Sequence, residues 1–263
     1  MLEARAAQST GLLWHGQPQP LRVLPILPSG EAADHLALWQ ACALMQQQGY
    51  PVVVLDGTEQ ETASSPGLQH LLQPQSGFAH MALPLEDGDS HSIATLPAAR
   101  GLVQLAHKAQ VQHVRPLQLL YRHLRNHAVV VILAPAPLLA PLLQGCTQAP
   151  IQLVPSQRNS VVRSYRALKQ VFMDTGLMPR LTAMRPQDLG LDPVLKSIAQ
   201  CAMHHLHCEP LAEQLDPDLP RQLRRWSLQC LEHAESVYPH QEADAASAIA
   251  HPFTPSSPLA WSH

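Results

Sequence analysis

The chain opens on two continuous apolar segments separated by a helical one, and this order constrains its fold most. Residues 21–28 (LRVLPILP) and 51–57 (PVVVLDG) are typical of buried strands, and residues 30–49 have the pattern of a helix. A helix between two strands is the usual crossover of a parallel pair. The segment therefore predicts the first unit of an α/β fold.

The turn after the first strand is where a nucleotide-binding unit of this kind holds phosphate. A working P-loop needs a glycine-rich backbone, a lysine that reaches the β- and γ-phosphates, and a Ser or Thr for Mg²⁺. This chain instead has Pro28, Ser29, Gly30 and Glu31, and Asp34 adds a second carboxylate. We expect a nucleotide-binding fold that has lost its nucleotide chemistry and holds no cofactor.

Strands and helices alternate through the rest of the chain. Further strands are predicted at 78–85, 92–97, 128–135, 151–155 and, as the last one, 179–186. Helices are predicted at 66–72, 98–109, 115–127, 137–145, 159–176, 191–207 and 219–237. Strands that are apolar throughout are covered on both faces, so we expect an α/β fold with a doubly wound, mostly parallel sheet and helices on both faces.

The domain boundaries follow from where this alternation starts and stops. Residues 21–238 are predicted to form a single α/β domain, preceded by a flexible segment at 1–20. Residues 239–263 are rich in Ala, Ser and Pro, a composition typical of a disordered tail.

Charge and cysteine content exclude several classes of protein. The formal net charge of −3 lacks the dense cationic field that a general nucleic-acid binder needs. The five cysteines are odd in number and three lie in apolar surroundings, which is typical of a reducing compartment. The first 20 residues do not have the pattern of a secretory signal, and no apolar run reaches 18 residues. These features predict a cytoplasmic protein.

Three collinear stretches of the chain resemble the MinD/ParA-type deviant-Walker ATPases, and most closely the flagellar-number regulators called FlhG, FleN or YlxH. Asp56 stands where the family has its conserved strand-end acid, and Pro97 through Gly101 are similar to its "VIPAASG" stretch. The segment 151–171 is similar to its "VVTPEPTSLTDAYALIK" strand and helix. Its matching residues are Pro155, Ser160, Tyr165, Leu168 and Lys169.

The resemblance implies a P-loop NTPase fold in a bacterial regulatory protein, with an FlhF-like GTPase or a flagellar component as partner. The chain departs from the family at the catalytic positions. The P-loop lysines are absent, and the switch aspartate falls near Ala134 or Pro135. Phosphoryl transfer depends on charge neutralisation by Lys and Mg²⁺. We therefore expect a pseudo-ATPase, a catalytically inactive regulatory or scaffold protein in flagellar number or placement control.

Two alternatives remain open at this point. Within the same fold, the chain could be a ParA-like accessory of partitioning or polysaccharide secretion. In a different class, it could be a metal-binding protein that uses the helical segment CAMHHLHC. There Cys201, His204 or His205, and Cys208 fall on one helical face, and thiolate and imidazole are zinc ligands. A second pair of ligands is not identifiable, so core positions for the two cysteines are preferred.

Two helices are candidates for contacts with other molecules. The helix at 219–237 has an apolar stripe flanked by arginines, which suits either a membrane surface or the sheet, and packing on the sheet is favoured. The helix after Pro155 has four cations that could form a protein-binding surface or a solvated face: Arg158, Arg163, Arg166 and Lys169. The residues of that helix expected to face the sheet are Val161, Val162, Tyr165, Leu168 and Val171.

Overall fold

The structure is a computed structural model that describes residues 20–73, 93–186 and 192–238. Within them the chain forms one sheet whose strands alternate with helices, which confirms the predicted fold class. The strand predicted at 78–85, the tail predicted at 239–263, and all but Pro20 of the segment at 1–20 lie outside the described residues.

The described residues contain eight strands. They are β1 (Leu21–Leu27), β2 (Val52–Asp56), β3 (Ala94–Pro97), β4 (Val129–Leu133), β5 (Ile151–Leu153), β6 (Arg180–Met184), β7 (Ala212–Leu215) and β8 (Glu235–Val237). The order across the sheet is β3-β2-β4-β1-β5-β6-β7, and all of these pairs are parallel. Strand β8 pairs antiparallel with β1. The loops that follow β1, β4 and β5 are therefore neighbours at the carboxyl edge of the sheet.

The helices that the structure describes lie on both faces of this sheet. They are α1 (Ala32–Gln47), α2 (Gly67–Leu71), α3 (Ala99–Gln112), α4 (Gln118–Leu124), α5 (Ala136–Leu139), α6 (Val161–Thr175), α7 (Pro193–Leu206) and α8 (Pro220–Glu232). Short 3₁₀ turns follow α5 and precede α6, at Ala140–Leu143 and Arg158–Ser160. Helices α1 and α8 share one apolar core with the sheet. Helices α2 to α7 pack on the opposite face.

Strand β1 contains Pro25 at its centre, although proline has no N–H to donate to a ladder. Alternate residues of a strand direct their backbone groups to opposite sides, and the N–H of Arg22 donates to Ala128 O on the β4 side. Residue 25 therefore faces the other side, where β8 pairs as far as Val23 and β5 begins at Ile26. The missing donor falls in the gap between β8 and β5, so the central strand loses no ladder hydrogen bond.

Two of the predictions are wrong at the C-terminal end of the domain. The strand predicted at 179–186 forms as β6, but it is not the last, since β7 and β8 follow it. The helix predicted to continue to residue 237 ends at Glu232, and Glu235–Val237 pair with β1 instead. The carboxylate of Glu235 is buried and accepts hydrogen bonds from the N–H groups of Thr147 and Gln148, both at 2.9 Å. This contact fixes β8 beside the loop that leads into β5.

Candidate functional site

The loop after β1 lies at the carboxyl edge of the sheet, where α/β folds bind their ligands. The Ser29 Oγ accepts a hydrogen bond from the N–H of Glu31 at 3.0 Å, and α1 begins at the next residue. The Glu31 carboxylate accepts two hydrogen bonds from Ser156, one from its N–H and one from its hydroxyl, both at 2.9 Å. Glu31 thus links the loop after β1 to the loop after β5.

Glu31 directly precedes α1, but its carboxylate makes no hydrogen bond to the first N–H groups of that helix and binds Ser156 instead. A helix N-terminus has a positive potential that favours anions, which is why phosphate binds there in nucleotide-binding folds. The sequence has three lysines, Lys108, Lys169 and Lys196, and they lie on α3, α6 and α7. The loop after β1 therefore has a carboxylate and no lysine at the point where a P-loop binds phosphate.

Asp34, in the first turn of α1, is a second acid at this position. Its side chain is buried, and its Oδ2 atom has no hydrogen-bond partner among the described residues. Burial raises the pKa of Asp34, and the charge of Glu31 adds to this effect. A hydrogen bond with Ser29 and the charges of Arg185 and His35 oppose it. The protonated form of Asp34 is thus favoured in the folded chain relative to the unfolded one.

We expect Asp34→Asn to be more stable than the wild type at pH 7. A raised pKa means that the folded state binds this proton more tightly, so stability falls as the pH rises above 3.8, and the loss is complete above the raised pKa. The difference should shrink as the pH falls through that pKa, and it should vanish below the ordinary value of 3.8. Thermal melts between pH 3 and pH 8 measure it. The control variant Asp218→Asn, which changes an exposed acid, should show no such gain. An Asp34→Asn variant that is less stable than the wild type at pH 7 would contradict the raised pKa of Asp34.

The loops after β2 and β4 meet next to this position. Asp56 accepts hydrogen bonds from the N–H and the hydroxyl of Thr58, at 2.8 and 2.6 Å, so its carboxylate stabilises a turn of its own chain. Gly57 donates to Leu133 O at 2.7 Å, and a Cβ on Gly57 would lie 2.7 Å from the Cβ of Ala134. Ala134, which with Pro135 is where the resemblance would place a switch aspartate, is buried and packs against the glycine after β2.

A cavity of about 250 Å³ lies between helix α6 and the loops after β1 and β4. We call it the α6 cavity, and its wall includes Pro28, Ser29, Pro135, Gln152, Arg163 and Arg166. Gln152 comes from β5 and is 2% exposed, and its Nε2 donates to Ser164 O at 2.8 Å. Its Oε1 has no hydrogen-bond partner in the described part of the chain. No sequence signal points to this residue, because one glutamine within a short apolar strand has no pattern.

Helix α6 and the 3₁₀ turn before it present four cations to solvent, and we call this surface the cationic face of α6. The four that the sequence singled out, Arg158, Arg163, Arg166 and Lys169, are exposed, and in the ranges that the structure describes their side chains form no hydrogen bond or ion pair. The buried side of α6 consists of Ser164, Leu168 and Val171. Val162, expected to face the sheet, is 59% exposed, so it belongs to the cationic face instead. Only Arg163 and Arg166 of the four also reach the α6 cavity.

The predicted metal ligands do not share a helical face. Helix α7 ends at Leu206, and His207 adopts a left-handed conformation with φ 54°, so Cys208 lies beyond the helix. The ring of His205 instead lies 5.9 Å from that of Tyr165 on α6. Among the residues that the structure describes, no group of three or more His, Cys, Asp or Glu side chains could hold a metal ion.

The apolar stripe of α8 packs inward, as the favoured interpretation predicted. Leu223, Trp226, Cys230 and Leu231 are buried in the core shared with α1. Burial raises the pKa of the Cys42 thiol in this core to about 12, so this thiol is unreactive at neutral pH. In the described ranges, no helix has the length and apolar character needed to cross a membrane.

Comparison with known proteins identifies no family for the sequence. No family model matches it, and no curated protein does. Among solved structures, a chain titled "Partition Protein" is similar to this one, with 12% sequence identity and a TM-score of 0.43. The match covers 81% of this chain and 71% of that one.

Proposed function

We propose that this chain is a MinD/ParA-like regulatory protein that does not hydrolyse ATP and that acts by binding another protein. Within that class, we assign it to the control of flagellar number or placement in a bacterium, on the sequence resemblance given above. The observation that carries the loss of hydrolysis is the position of Glu31. Glu31 directly precedes α1, where a P-loop would bind phosphate, and its carboxylate accepts two hydrogen bonds from Ser156.

The chemistry of phosphoryl transfer explains why this observation matters. Catalysis of that reaction consists almost entirely of positioning and of neutralising the phosphate charge, with Lys and Mg²⁺ as the main contributors. A phosphate group that approached the N-terminus of α1 would meet an acidic residue, Glu31, instead of a lysine. The resemblance places the switch aspartate near Ala134 or Pro135, and neither side chain can bind Mg²⁺.

We expect the purified chain to show no ATP hydrolysis above the buffer background and no thermal shift with Mg-ATP. A ligand present at one hundred times its dissociation constant would stabilise the folded state by about 2.7 kcal/mol, which a melting curve detects easily. Mg-ADP serves as the matched control for non-specific effects of the nucleotide. A reproducible shift with Mg-ATP that Mg-ADP does not produce, or a steady release of inorganic phosphate, contradicts the proposal.

The cationic face of α6 supports binding of a protein partner. Four exposed cations lie within twelve residues of a chain in which only 14% of residues are charged. Because their side chains make no ion pair in the described residues, they are available to an acidic surface. The matching partner by sequence resemblance is an FlhF-like GTPase from the same genome.

We expect Arg163→Glu with Arg166→Glu to weaken binding of that purified GTPase at least about tenfold, because two attractive contacts become repulsive. The melting temperature should change little, since both residues are exposed. The matched control is Arg224→Glu with Arg225→Glu, which reverses two exposed charges on α8, on the opposite face of the sheet. Biolayer interferometry with the immobilised GTPase measures the change.

The outcomes of this experiment separate the two parts of the proposal. If the wild-type chain does not bind the FlhF-like GTPase, the flagellar assignment is wrong while the loss of ATP chemistry is unaffected. If it binds and the α6 variant binds equally well, α6 is not the docking surface. Equal losses in the α6 and α8 variants would indicate a non-specific charge effect.

A further inference from the structure

Residues 90–173 contain no Asp or Glu, although the whole sequence has 20 of them. The same stretch contains nine of the 17 Lys and Arg residues. Its helices, α3 to α6, pack on one face of the sheet, and the single acid within these four helices is Asp174, in the last turn of α6. The chain therefore separates its charges in space, an asymmetry typical of a surface that attracts an acidic partner.

The C-terminal half of α3 borders a cavity of about 390 Å³, which we call the α3 cavity. Its other walls come from the turn at Ala140–Leu143 and from the loop between α3 and α4. The volume lies within the range typical of binding pockets, about 300–1,000 Å³. The apolar residues that line it are Ala106, Ala109, Val114, Pro116 and Pro141. Such a lining suits a large apolar side chain.

The polar residues of the α3 cavity surround this apolar lining. They are all exposed, and in the described ranges their side chains form no hydrogen bond or ion pair. They are Gln110, His113, Arg115 and Gln144. No acid of the described part of the chain lines the cavity. The cavity therefore offers one guanidinium group and two carboxamide groups to a carboxylate.

Packing against Gly145 defines the position of Arg115. A Cβ on Gly145 would lie 3.2 Å from Nε and 3.4 Å from Cδ of Arg115, so the arginine side chain lies across this glycine. Glu235, an acid near this loop, is buried and accepts hydrogen bonds from the N–H groups of Thr147 and Gln148. It forms no ion pair with Arg115. A positioned and unpaired arginine loses less conformational entropy when it binds a carboxylate.

We propose that the α3 cavity binds an acidic segment of a partner protein, which inserts one apolar side chain into the cavity and places a carboxylate at Arg115. A single arginine at the cavity is not the dense cationic field that a nucleic acid requires. A membrane surface does not enter a concave site. Helix α3 also exposes Val103 and Val111, which would extend the apolar contact with a protein segment.

This surface is separate from the cationic face of α6. No residue lines both the α3 cavity and the α6 cavity. Arg115 belongs to the loop between α3 and α4, not to α6. The proposal is therefore independent of whether an FlhF-like GTPase binds at α6.

Fluorescence anisotropy with the full chain tests the proposal. The probe is a labelled peptide of about twelve Asp and Glu residues around one central Phe, called the Phe peptide. We expect saturable binding that weakens at least about tenfold in the Ala peptide, where Ala replaces this Phe and leaves the cavity empty. Binding should also weaken as the salt concentration rises. A single-stranded oligonucleotide and vesicles of phosphatidylcholine with phosphatidylglycerol represent other anionic partners, and both should bind less tightly.

Variants assign the two parts of the site. Arg115→Glu should weaken binding of the Phe peptide at least about tenfold, because an attractive contact becomes repulsive. Its matched control is Arg125→Glu, an exposed cation that does not line the cavity, and it should bind as the wild type does. Gln110→Trp places an aromatic ring at the cavity and should lower the affinity for the Phe peptide to that for the Ala peptide. Gln112→Trp, an exposed residue of α3 outside the cavity, is its control.

The α6 variant, Arg163→Glu with Arg166→Glu, separates this surface from the one in the proposed function. It should bind the Phe peptide as the wild type does, and melting curves check that every variant folds. An equal loss in the α6 variant or in Arg125→Glu would show general charge attraction and would overturn the proposal. Equal affinity for the Phe and Ala peptides, or no saturable binding of the Phe peptide, also overturns it. So does tighter binding of the oligonucleotide or the vesicles than of the Phe peptide.

Discussion

Replacing Glu61 by alanine is expected to lower the free energy of unfolding by about 3 kcal/mol, because three backbone donors lose their acceptor. The Glu61 carboxylate is 4% exposed and lies at the N-termini of two helices. It accepts hydrogen bonds from the N–H groups of Gln69 on α2, at 3.3 Å, and of Arg100 and Gly101 on α3, at 2.8 and 2.7 Å. Anions at helix N-termini are also favoured by the helix dipoles.

Urea unfolding measures this loss, and two further variants show where it comes from. Glu61→Gln keeps the shape, but one carboxylate oxygen becomes an NH₂ that faces a backbone donor, so we expect a loss nearly as large. Glu59→Ala removes an exposed acid from the same loop and should stay within about 0.5 kcal/mol of the wild type. A Glu61→Ala variant as stable as Glu59→Ala would show that water replaces the carboxylate without cost.

The sequence predicts the continuously apolar strands and misses the polar strand β7. Strands β1, β2 and β4 are continuously apolar, and they form where they were expected. Strand β7 reads AEQL, and only Leu215 of it is buried. Its Glu213 accepts hydrogen bonds from Thr182 on β6 and from the indole N–H of Trp226 on α8, at 2.9 and 3.0 Å. A strand stabilised by polar contacts with distant residues leaves no apolar run to recognise.

The C-terminal strand β8 was missed for a different reason. The apolar stripe of the helix predicted at 219–237 includes Ala234, which is buried and has helical spacing from Cys230, so periodicity alone extends the helix too far. A tertiary contact ends the helix. Residues 235–237 pair with Leu21 to Val23 on the edge of β1 opposite β4, which would otherwise have no partner strand there. Element boundaries set by such distant pairings are not encoded in local sequence.

The residues of the candidate site also divide into those that the local sequence identifies and those that it does not. The sequence identifies Glu31 and Asp34 because it lacks a lysine where a local motif requires one, and it identifies the cations of α6 by their spacing. It does not identify Gln152 or Glu61, whose importance lies in burial and in partners 8 to 40 residues away. Asp56 is an intermediate case: the sequence singles it out by resemblance, and its turn with Thr58 is local.

The segment Pro97 through Gly101, which resembles a flagellar-branch motif, has a structural role in this chain. A Cβ on Gly101 would lie 2.7 Å from the N atom of Gln69 and from the side chain of Leu68, so only glycine allows α3 to approach α2 this closely. Gly67, at the start of α2, lies close against the carbonyl group of Pro97. The motif is therefore a close-packed joint between β3, α2 and α3, with the Glu61 carboxylate bound at its centre.

We expect Gly67→Ala to lower the free energy of unfolding by about 4 kcal/mol, the largest effect of any single methyl group in this joint. A Cβ at residue 67 would lie 2.0 Å from the carbonyl oxygen of Pro97 and 2.7 Å from Cγ of Glu61. The backbone carbonyl belongs to β3 and cannot rotate away as a side chain can. The φ of +52° adds strain for any residue with a Cβ.

Gly49→Ala separates these two causes, because Gly49 has a φ of +88° but a Cβ at this residue would have no atom within 4 Å. It should therefore show the conformational strain alone, about 1 kcal/mol. Urea unfolding of both variants measures the difference, about 3 kcal/mol, which belongs to the contact with β3. If the two variants lose the same stability, the joint is not close-packed at Gly67, and the carboxylate of Glu61 has room to move. A Glu61 carboxylate that moves would bind the N–H groups of α2 and α3 less well, so Glu61→Ala would then cost less than expected. The two predictions therefore test the same joint, one through its backbone and one through its side chain.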